Sequence, residues 1–371
     1  MAMGNRPEVK TAPAPIVALD VSLLAQQLAT ALARVPFRHP LRGQSSPLSN
    51  LGIAVTRELT RCFMGYASSL RIPEFRSLEL VVDEICRWVM PPFVRSLDVD
   101  EFPSEFGGVP GILYVPRAVS PVGVILYLHG GGYIGTSPNM YAFFTSRVCR
   151  ETECAVFVAD YRLAPEFPFP AGAEDASAVY HDFTDRGIRR ERIFIAGDSG
   201  GGGLANTLVL ANPARIRPVY PAGLVLFSPE VDLQLDEPSI TENAEHDILP
   251  WNIPTASYLH GFDATAASVS PLTADLTGFP PTFVTWGGDE MFRDPIRRYV
   301  QRLRDAGVQT DAHEYEGMFH VFQMLMPWAD DSRDVFRRMD HFIHNLTTDL
   351  PPPTTSLTRL LGIDPRDDPR D

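Results

Sequence analysis

The segment Gly197-Asp198-Ser199-Gly200-Gly201 sets a hydroxyl among glycines in the G-x-S-x-G spacing. Such a serine can act as a nucleophile when it sits on a sharp strand-to-helix turn. Side chains at the flanking positions would collide with the neighbouring strand and helix. The turn leaves Oγ at a helix N-terminus, where free N–H groups and the helix dipole favour negative charge. Gly200 to Gly203 put four glycines in the first helical turn. Each costs about 1 kcal/mol against Ala, so a turn with an incidental serine explains them poorly. A second glycine cluster, His129-Gly130-Gly131-Gly132-Tyr133, suits the same chemistry. Acyl transfer places negative charge on a former carbonyl oxygen and requires N–H donors aimed at it. We assign these donors to the amides of Gly131, Gly132 and Gly200, and expect Tyr133 and Asp198 beside them to contact substrate. Phosphate binding is the other use of such a loop, but neither G-x-G-x-x-G nor G-x-x-x-x-G-K-[ST] occurs.

A serine hydroxyl needs a base. Of the nine histidines, His320 in Gly317-Met318-Phe319-His320-Val321-Phe322 follows the last expected strand, Ala312–Tyr315, where a loop can reach the nucleophile. His341 and His344 fall on a terminal amphipathic helix and read as surface residues. An acid that orients the imidazole should follow the strand Pro281–Trp286. Asp289, Glu290 and Asp294 compete there, and local sequence does not separate Asp289 from Glu290.

The elements that must position these groups alternate. Short apolar runs at Val122–Leu128, Ala155–Ala159, Arg192–Ala196, Gly223–Phe227 and Pro281–Trp286 read as strands. Helical patterns follow at Met140–Arg150, Ala173–Asp185, Gly201–Leu210 and Pro295–Ala306. This rhythm implies right-handed βαβ units and a mainly parallel sheet buried on both faces. Residues 1–95 read as helices broken at Pro36, Pro40 and Pro47, with one pattern over Phe75–Val89 that ends at Pro91-Pro92. Residues 232–265 are acidic and interrupt the alternation, with a helical stretch near Pro254–Leu259, and read as an insertion packed near the N-terminal helices. Residues 350–371, rich in Pro and Asp, are expected to be disordered.

The chain of 371 residues carries a formal net charge of −14, which speaks against a nucleic-acid partner. The four cysteines have neither C-x-x-C nor zinc-site spacing and read as small apolar thiols, as in a reducing compartment. A Cys149–Cys154 disulfide is allowed by spacing alone. Ile16 to Val35 is moderately apolar, but Asp20, Gln26 and Gln27 interrupt it, so it lacks the core of a signal peptide. Val17, Val21, Leu24, Leu28 and Leu32 recur at helical spacing, which implies an amphipathic helix on the protein surface. No run reads as long enough to span a bilayer. The expectations are therefore no stable membrane insertion and a cytoplasmic location, with a homodimer compatible.

Taken together, His-Gly-Gly-Gly-Tyr at 129–133, Asp160-Tyr161-Arg162-Leu163-Ala164-Pro165-Glu166, Gly-Asp-Ser-Gly-Gly at 197–201 and the Gly317–His320 segment resemble the hormone-sensitive lipase family of α/β-hydrolases, bacterial esterase branch. The resemblance covers residues from about 96 to 345. It implies an α/β-hydrolase fold with a mainly parallel eight-stranded sheet flanked by helices, and a cap built from residues 1–95 and 232–265 on a core at 96–349. The family usually has Ala after the nucleophile; Gly200 departs from this, but the donor is a backbone amide. The family's acid lies four residues before a second Asp. Glu290-Met291-Phe292-Arg293-Asp294 keeps that spacing, so Glu290 takes the acid position. Glu166 would then support the active-site loops, or alternatively pair locally with Arg162. The implied activity is hydrolysis of short- to medium-chain carboxylic esters through an acyl-enzyme on Ser199, with no metal or organic cofactor and a small-molecule ester as partner. The same machinery would serve acetyl esters, amides or glycerides, and a non-catalytic ligand receptor on this fold is the remaining alternative.

Overall fold

A computed structural model describes residues 9–35, 47–210, 219–250, 252–352 and 354–363. Eight strands form one sheet: β1 (Val99–Phe106), β2 (Val109–Pro116), β3 (Val124–Leu128), β4 (Ala155–Ala159), β5 (Ile193–Asp198), β6 (Gly223–Phe227), β7 (Thr282–Gly287) and β8 (Thr310–Tyr315). Their spatial order is β1-β2-β4-β3-β5-β6-β7-β8. β3 through β8 run parallel, whereas β2 is antiparallel to both β1 and β4. The central strands β3, β4, β5 and β6 are buried at every residue. That explains why they are continuous apolar runs rather than alternating ones.

Four helices precede the sheet: α1 (Ala14–Arg34), α2 (Pro47–Ser69), α3 (Ile72–Val89) and α4 (Pro91–Ser96). The sheet is flanked by α5 (Ala142–Thr152), α6 (Ala171–Asp185), α7 (Ser199–Leu210), α10 (Arg293–Asp305) and α12 (Asp330–Thr347). Short helices α8 (Pro238–Glu242) and α9 (Thr255–Leu259) lie in the insertion, α11 (Phe322–Leu325) follows His320, and α13 (Leu357–Leu360) lies near the end. Two apolar clusters cover opposite faces of the sheet: Leu126, Phe157, Ile195 and Leu226 point to one, and Ile125, Val156, Phe194 and Val225 to the other. Neighbouring residues on each strand therefore serve different cores, as the two-residue strand period requires.

Several expectations are corrected. The β1–β2 hairpin escaped the sequence reading, although β1 alternates in burial and the Gly107-Gly108 turn has φ of +60° and +78°; that pair is the hairpin signal. Pro47 opens α2 rather than breaking a helix, while Pro36 and Pro40 lie outside the described residues. α1 is in fact long and apolar enough to cross a membrane by length and composition; a single Asp and two Gln barely reduce its apolarity. In the structure it packs on α2 and α3, with Leu24 against Tyr66, Ala67 and Leu78, and the Tyr66 hydroxyl donates to Asp20. All four cysteines are free thiols, so no Cys149–Cys154 disulfide forms.

Of the tail expected to be disordered, residues 350–352 and 354–363 are described and pack on the protein, and the rest lies outside the described residues. Leu357 and Leu361 are buried in the main core, and Arg192 donates to the carbonyls of Leu350 and Pro351. Composition misled here because two leucines at helical spacing outweigh the surrounding prolines. Each such burial is worth about 1.5–3 kcal/mol. Truncation after residue 352 should therefore lower the apparent Tm by several degrees in a thermal melt; an unchanged melt would show that this packing contributes nothing.

Candidate active site

Ser199 opens α7 directly after β5, with φ of +52°. This left-handed conformation is unfavourable for serine, and the packing around the turn enforces it. A Cβ on Gly201 would lie 2.1 Å from the Leu128 carbonyl oxygen and 2.4 Å from that of His129. The start of α7 thus rests against the end of β3, where the second glycine cluster begins.

That cluster turns back on itself. Gly131 has φ of +112°, and the amides of Ile134 and Gly135 both donate to its carbonyl. Its own amide and that of Gly132 make no hydrogen bond to described residues. The Gly200 amide lies in the first turn of α7, where no helical carbonyl is available. A Cβ on Gly200 would come within 3.1 Å of the Tyr133 nitrogen, so loop and helix terminus are neighbours. The loop that carries two of the amides assigned from sequence to an oxyanion thus lies beside the helix start that carries the third.

The supports of this loop are polar and buried. Asp198 accepts hydrogen bonds from the hydroxyls of Tyr127 and Tyr141, each at 2.8 Å, and from the Gly130 amide at 3.0 Å. Its carboxylate is therefore committed to holding the loop, not to contacting substrate as the sequence suggested. His129 stacks on Tyr161 and lies within hydrogen-bond reach of Thr136 Oγ1 and the Gly130 carbonyl. Burial pushes its pKa down to about 4, so it is neutral and structural. The Tyr133 ring lies between α7 and Tyr258 of the insertion, on which it stacks at 3.8 Å.

Glu166 does not pair with Arg162, which binds Asp175 and Glu174 instead. It pairs with Arg76 of α3. Arg76 also donates to Glu79 and to the carbonyls of Ile134 and Ala164, and the Ala164 amide donates to the Tyr133 carbonyl. One buried guanidinium thus links the N-terminal helices, the 160–166 segment and the glycine loop.

Glu290 and His320 meet. The carboxylate is completely buried, and its Oε2 lies 3.7 Å from His320 Nδ1. The same oxygen accepts from Ser228 Oγ at 2.7 Å and the Gly287 amide at 3.1 Å. Of the competitors, Asp294 is engaged by Arg293 and by the Ser239 amide, and Asp289 is partly exposed. Sequence reading missed three groups around this pair. Asp247, fully buried in the insertion, accepts from the backbone amides of His320 (2.9 Å), Ile248 (2.7 Å) and Met291 (2.7 Å). Asn243 donates to the Glu290 carbonyl, and Ser228 Oγ accepts from the Val321 amide at 3.1 Å. The acidity of 232–265 was visible, but nothing in the sequence marked Asp247 as the buried one.

The loop after β6 joins the two halves. Glu230, two residues beyond Ser228, donates its amide to the Ser199 carbonyl at 2.9 Å. Residues 228–230 are therefore fastened at one end to the amide of Val321, next to His320, and at the other to the carbonyl of Ser199. Neither imidazole nitrogen has a hydrogen-bond partner among the described residues, so the Ser199–His320 bond is not formed here. Such bonds commonly tighten only when substrate is present. Burial opposes a charged imidazole, but the carboxylates of Glu290, Asp247 and Asp198 outweigh it, and the His320 pKa lies above the ordinary 6.5. Burial also raises the Glu290 carboxyl, against the attraction of His320.

A family model described as the α/β-hydrolase fold matches residues 125–324. An esterase of Acinetobacter venetianus is 31% identical over 279 residues, covering 74% of this chain and 90% of that protein. An acetyl-hydrolase of Streptomyces hygroscopicus is 34% identical over 230 residues, covering 60% of this chain and 76% of that protein. Among solved structures, an esterase from the bacterial hormone-sensitive lipase family superposes with a TM-score of 0.65 at 28% identity, covering 91% of this chain and all of that one.

If His320 acts as a base, it must be neutral. A raised pKa means that it keeps its proton to higher pH, so the acidic limb of kcat/KM should lie above pH 6.5. Glu290→Gln removes the largest attraction while burial remains. The limb should then move to lower pH, and kcat should fall by about 10²–10⁴-fold. A pH–rate profile whose limb stays in place in that variant would exclude Glu290 as the partner of His320.

Proposed function

The chain belongs to the hormone-sensitive lipase family of α/β-hydrolases and is a carboxylic ester hydrolase; on that premise we propose that Ser199, His320 and Glu290 form its catalytic triad and that its substrates are esters of short to medium acyl chains. The observation that carries the residue assignment is the burial of the Glu290 carboxylate against the His320 imidazole, with one segment, 228–230, bonded both to Ser199 and to Val321 beside His320.

His320 takes the proton of Ser199 as Oγ attacks the ester carbonyl. Negative charge develops on the carbonyl oxygen, and the amides of Gly131, Gly132 and Gly200 receive it. These donors are fixed before reaction, so they cost no reorganisation as charge develops. His320 then protonates the leaving alcohol. Water, deprotonated by the same imidazole, attacks the acyl-enzyme and releases the acid and Ser199. Glu290 holds the imidazole in the required tautomer and stabilises its charged form; Ser228 and the Gly287 amide hold Glu290. Asp247 acts one step removed, by fixing the backbone of both His320 and Met291.

The acyl preference follows from the cap. We read α1–α3 and the 232–265 insertion as one cover, since Arg61 of α2 donates to the Asp247 carbonyl and Asn252 donates to the Ser68 carbonyl. Pro254 of that cover lies over the glycine loop, 3.1 Å from where a Gly132 Cβ would be. This contact supports a preference for small acyl groups. The acetyl-hydrolase relative favours a second reading, in which acetyl groups on a larger alcohol or amine are the natural substrate.

Ser199→Ala should reduce hydrolysis of p-nitrophenyl butyrate by at least about 10³-fold without altering the thermal melt; turnover within tenfold of the unaltered enzyme would end the assignment. Across p-nitrophenyl acetate to palmitate, kcat/KM should peak at or below eight carbons. A maximum at palmitate would instead establish a lipase.

A further inference from the structure

Glu230 plays no part in the mechanism above, yet it lies in the segment that joins nucleophile to base. It is 1% exposed, and neither carboxyl oxygen has a hydrogen-bond partner among the described residues. Its surroundings are known on three sides. Its amide donates to the Ser199 carbonyl, and its own carbonyl presses on α7, 2.5 Å from where a Gly203 Cβ would be. The Tyr133 hydroxyl meets that same point at 2.3 Å, so the oxyanion loop is the second neighbour. Tyr258 of the insertion, stacked on Tyr133, is the third, and its buried hydroxyl is likewise unpartnered. Glu230 lies within electrostatic reach of Tyr133, Tyr258 and His320.

Both Glu230 carboxyl oxygens and the Tyr258 hydroxyl are thus buried without partners among the described residues, and the electrostatic influence of Glu230 on Tyr258 puts the two side chains near one another. A buried polar atom without a partner is destabilising, and an apolar side chain at position 230 would avoid two of them. The cost buys no visible structural contact. A polar group of the substrate would satisfy them. Burial pushes the Glu230 carboxyl up to about 8, with His320 pulling it down and Asp232 pushing it up. At neutral pH it is thus a carboxylic acid, able to donate one hydrogen bond and accept another.

We propose that Glu230 and the Tyr258 hydroxyl form a polar subsite beside Ser199 that binds a hydroxyl or carbonyl group carried by the ester close to its scissile bond. The substituent belongs to the acyl part or to the alcohol part, and the subsite makes the enzyme selective for oxygenated esters over alkyl esters of the same size. This rests on the assignment of Ser199 as nucleophile.

The test uses pairs in which a hydroxyl replaces a methyl. For the acyl part these are p-nitrophenyl 3-hydroxybutyrate against p-nitrophenyl 3-methylbutyrate; for the alcohol part, 2-hydroxyethyl butyrate against propyl butyrate. The full-length enzyme should favour the hydroxyl member of one pair by about tenfold or more in kcat/KM. Glu230→Gln, which keeps a donor and an acceptor, should retain most of that ratio. Glu230→Met should abolish or invert it while p-nitrophenyl butyrate turnover persists, and Tyr258→Phe should reduce it several-fold. A ratio near one in both pairs for the unaltered enzyme overturns the proposal. So does a ratio unmoved within twofold in Tyr258→Phe, which decides the matter should Glu230→Met fail to fold. Failure of the nucleophile assignment would show separately, as persistent butyrate hydrolysis by Ser199→Ala.

Discussion

The approach of α7 to the end of β3 fixes the geometry of everything around it. Two carbonyl oxygens, those of Leu128 and His129, occupy the space where a side chain at position 201 would begin. Only a glycine permits the helix to start there, and that start holds Ser199 in its left-handed conformation at the end of the central strand β5. The same contact places the Gly200 amide beside the loop that follows β3. The proposed nucleophile and oxyanion donors are thus set by one close packing, which joins two glycine clusters some seventy residues apart in sequence.

Around the imidazole the organising principle is electrostatic. Four buried carboxylates, those of Asp198, Glu230, Asp247 and Glu290, lie within influence of His320. They differ in what satisfies them. Asp198 has two tyrosine hydroxyls and an amide, and Asp247 has three backbone amides. Glu290 has a hydroxyl and an amide on one oxygen only, and Glu230 has nothing on either. Hydrogen bonds to the charged form offset burial, and without them the proton returns. Burial raises all four, and they range from Asp198 and Asp247 with three donors each, through Glu290 set against the imidazole, to Glu230, which has none and is raised to about 8. Position within the hydrogen-bond network, not residue type, separates these roles.

The legible part of this arrangement was the part that local sterics dictate. Glycines mark where backbone must come close, so Ser199 and the 129–133 loop could be found from sequence. Continuous apolar runs marked β3 to β7 to within a residue or two. The illegible part is carried by single polar residues whose partners are distant. Arg76 lies on an amphipathic helix among other charges, and its burial depends on the 160–166 segment ninety residues away. Asp247 is one acid in an acidic stretch, and Ser228 one hydroxyl after a strand. Asp198 stood next to the nucleophile and was assigned to substrate, whereas two tyrosines on β3 and near α5 claim it. The tail was misread for the converse reason: its composition is polar, but Leu357 and Leu361 meet the core.

The Arg76 contacts also bear on how the cap and the chemistry are coupled. An arginine buried with two carboxylates and two carbonyls is costly to separate from them, because each partner left behind would be an unpaired buried polar group. Withdrawal of α3 from the core would therefore release the Ile134 carbonyl and disturb the turn that presents Gly131 and Gly132. Burial raises the Glu79 carboxyl to about 7 despite Arg76 beside it, so the two acids do not hold the guanidinium equally, and Glu166, whose carboxyl lies below its usual range, supplies the firmer partner. The N-terminal helices are thus not a separate layer, since α3 reaches the loop after β3 through Arg76. On the proposed assignment, displacement of α3 would disturb the donors that this loop carries.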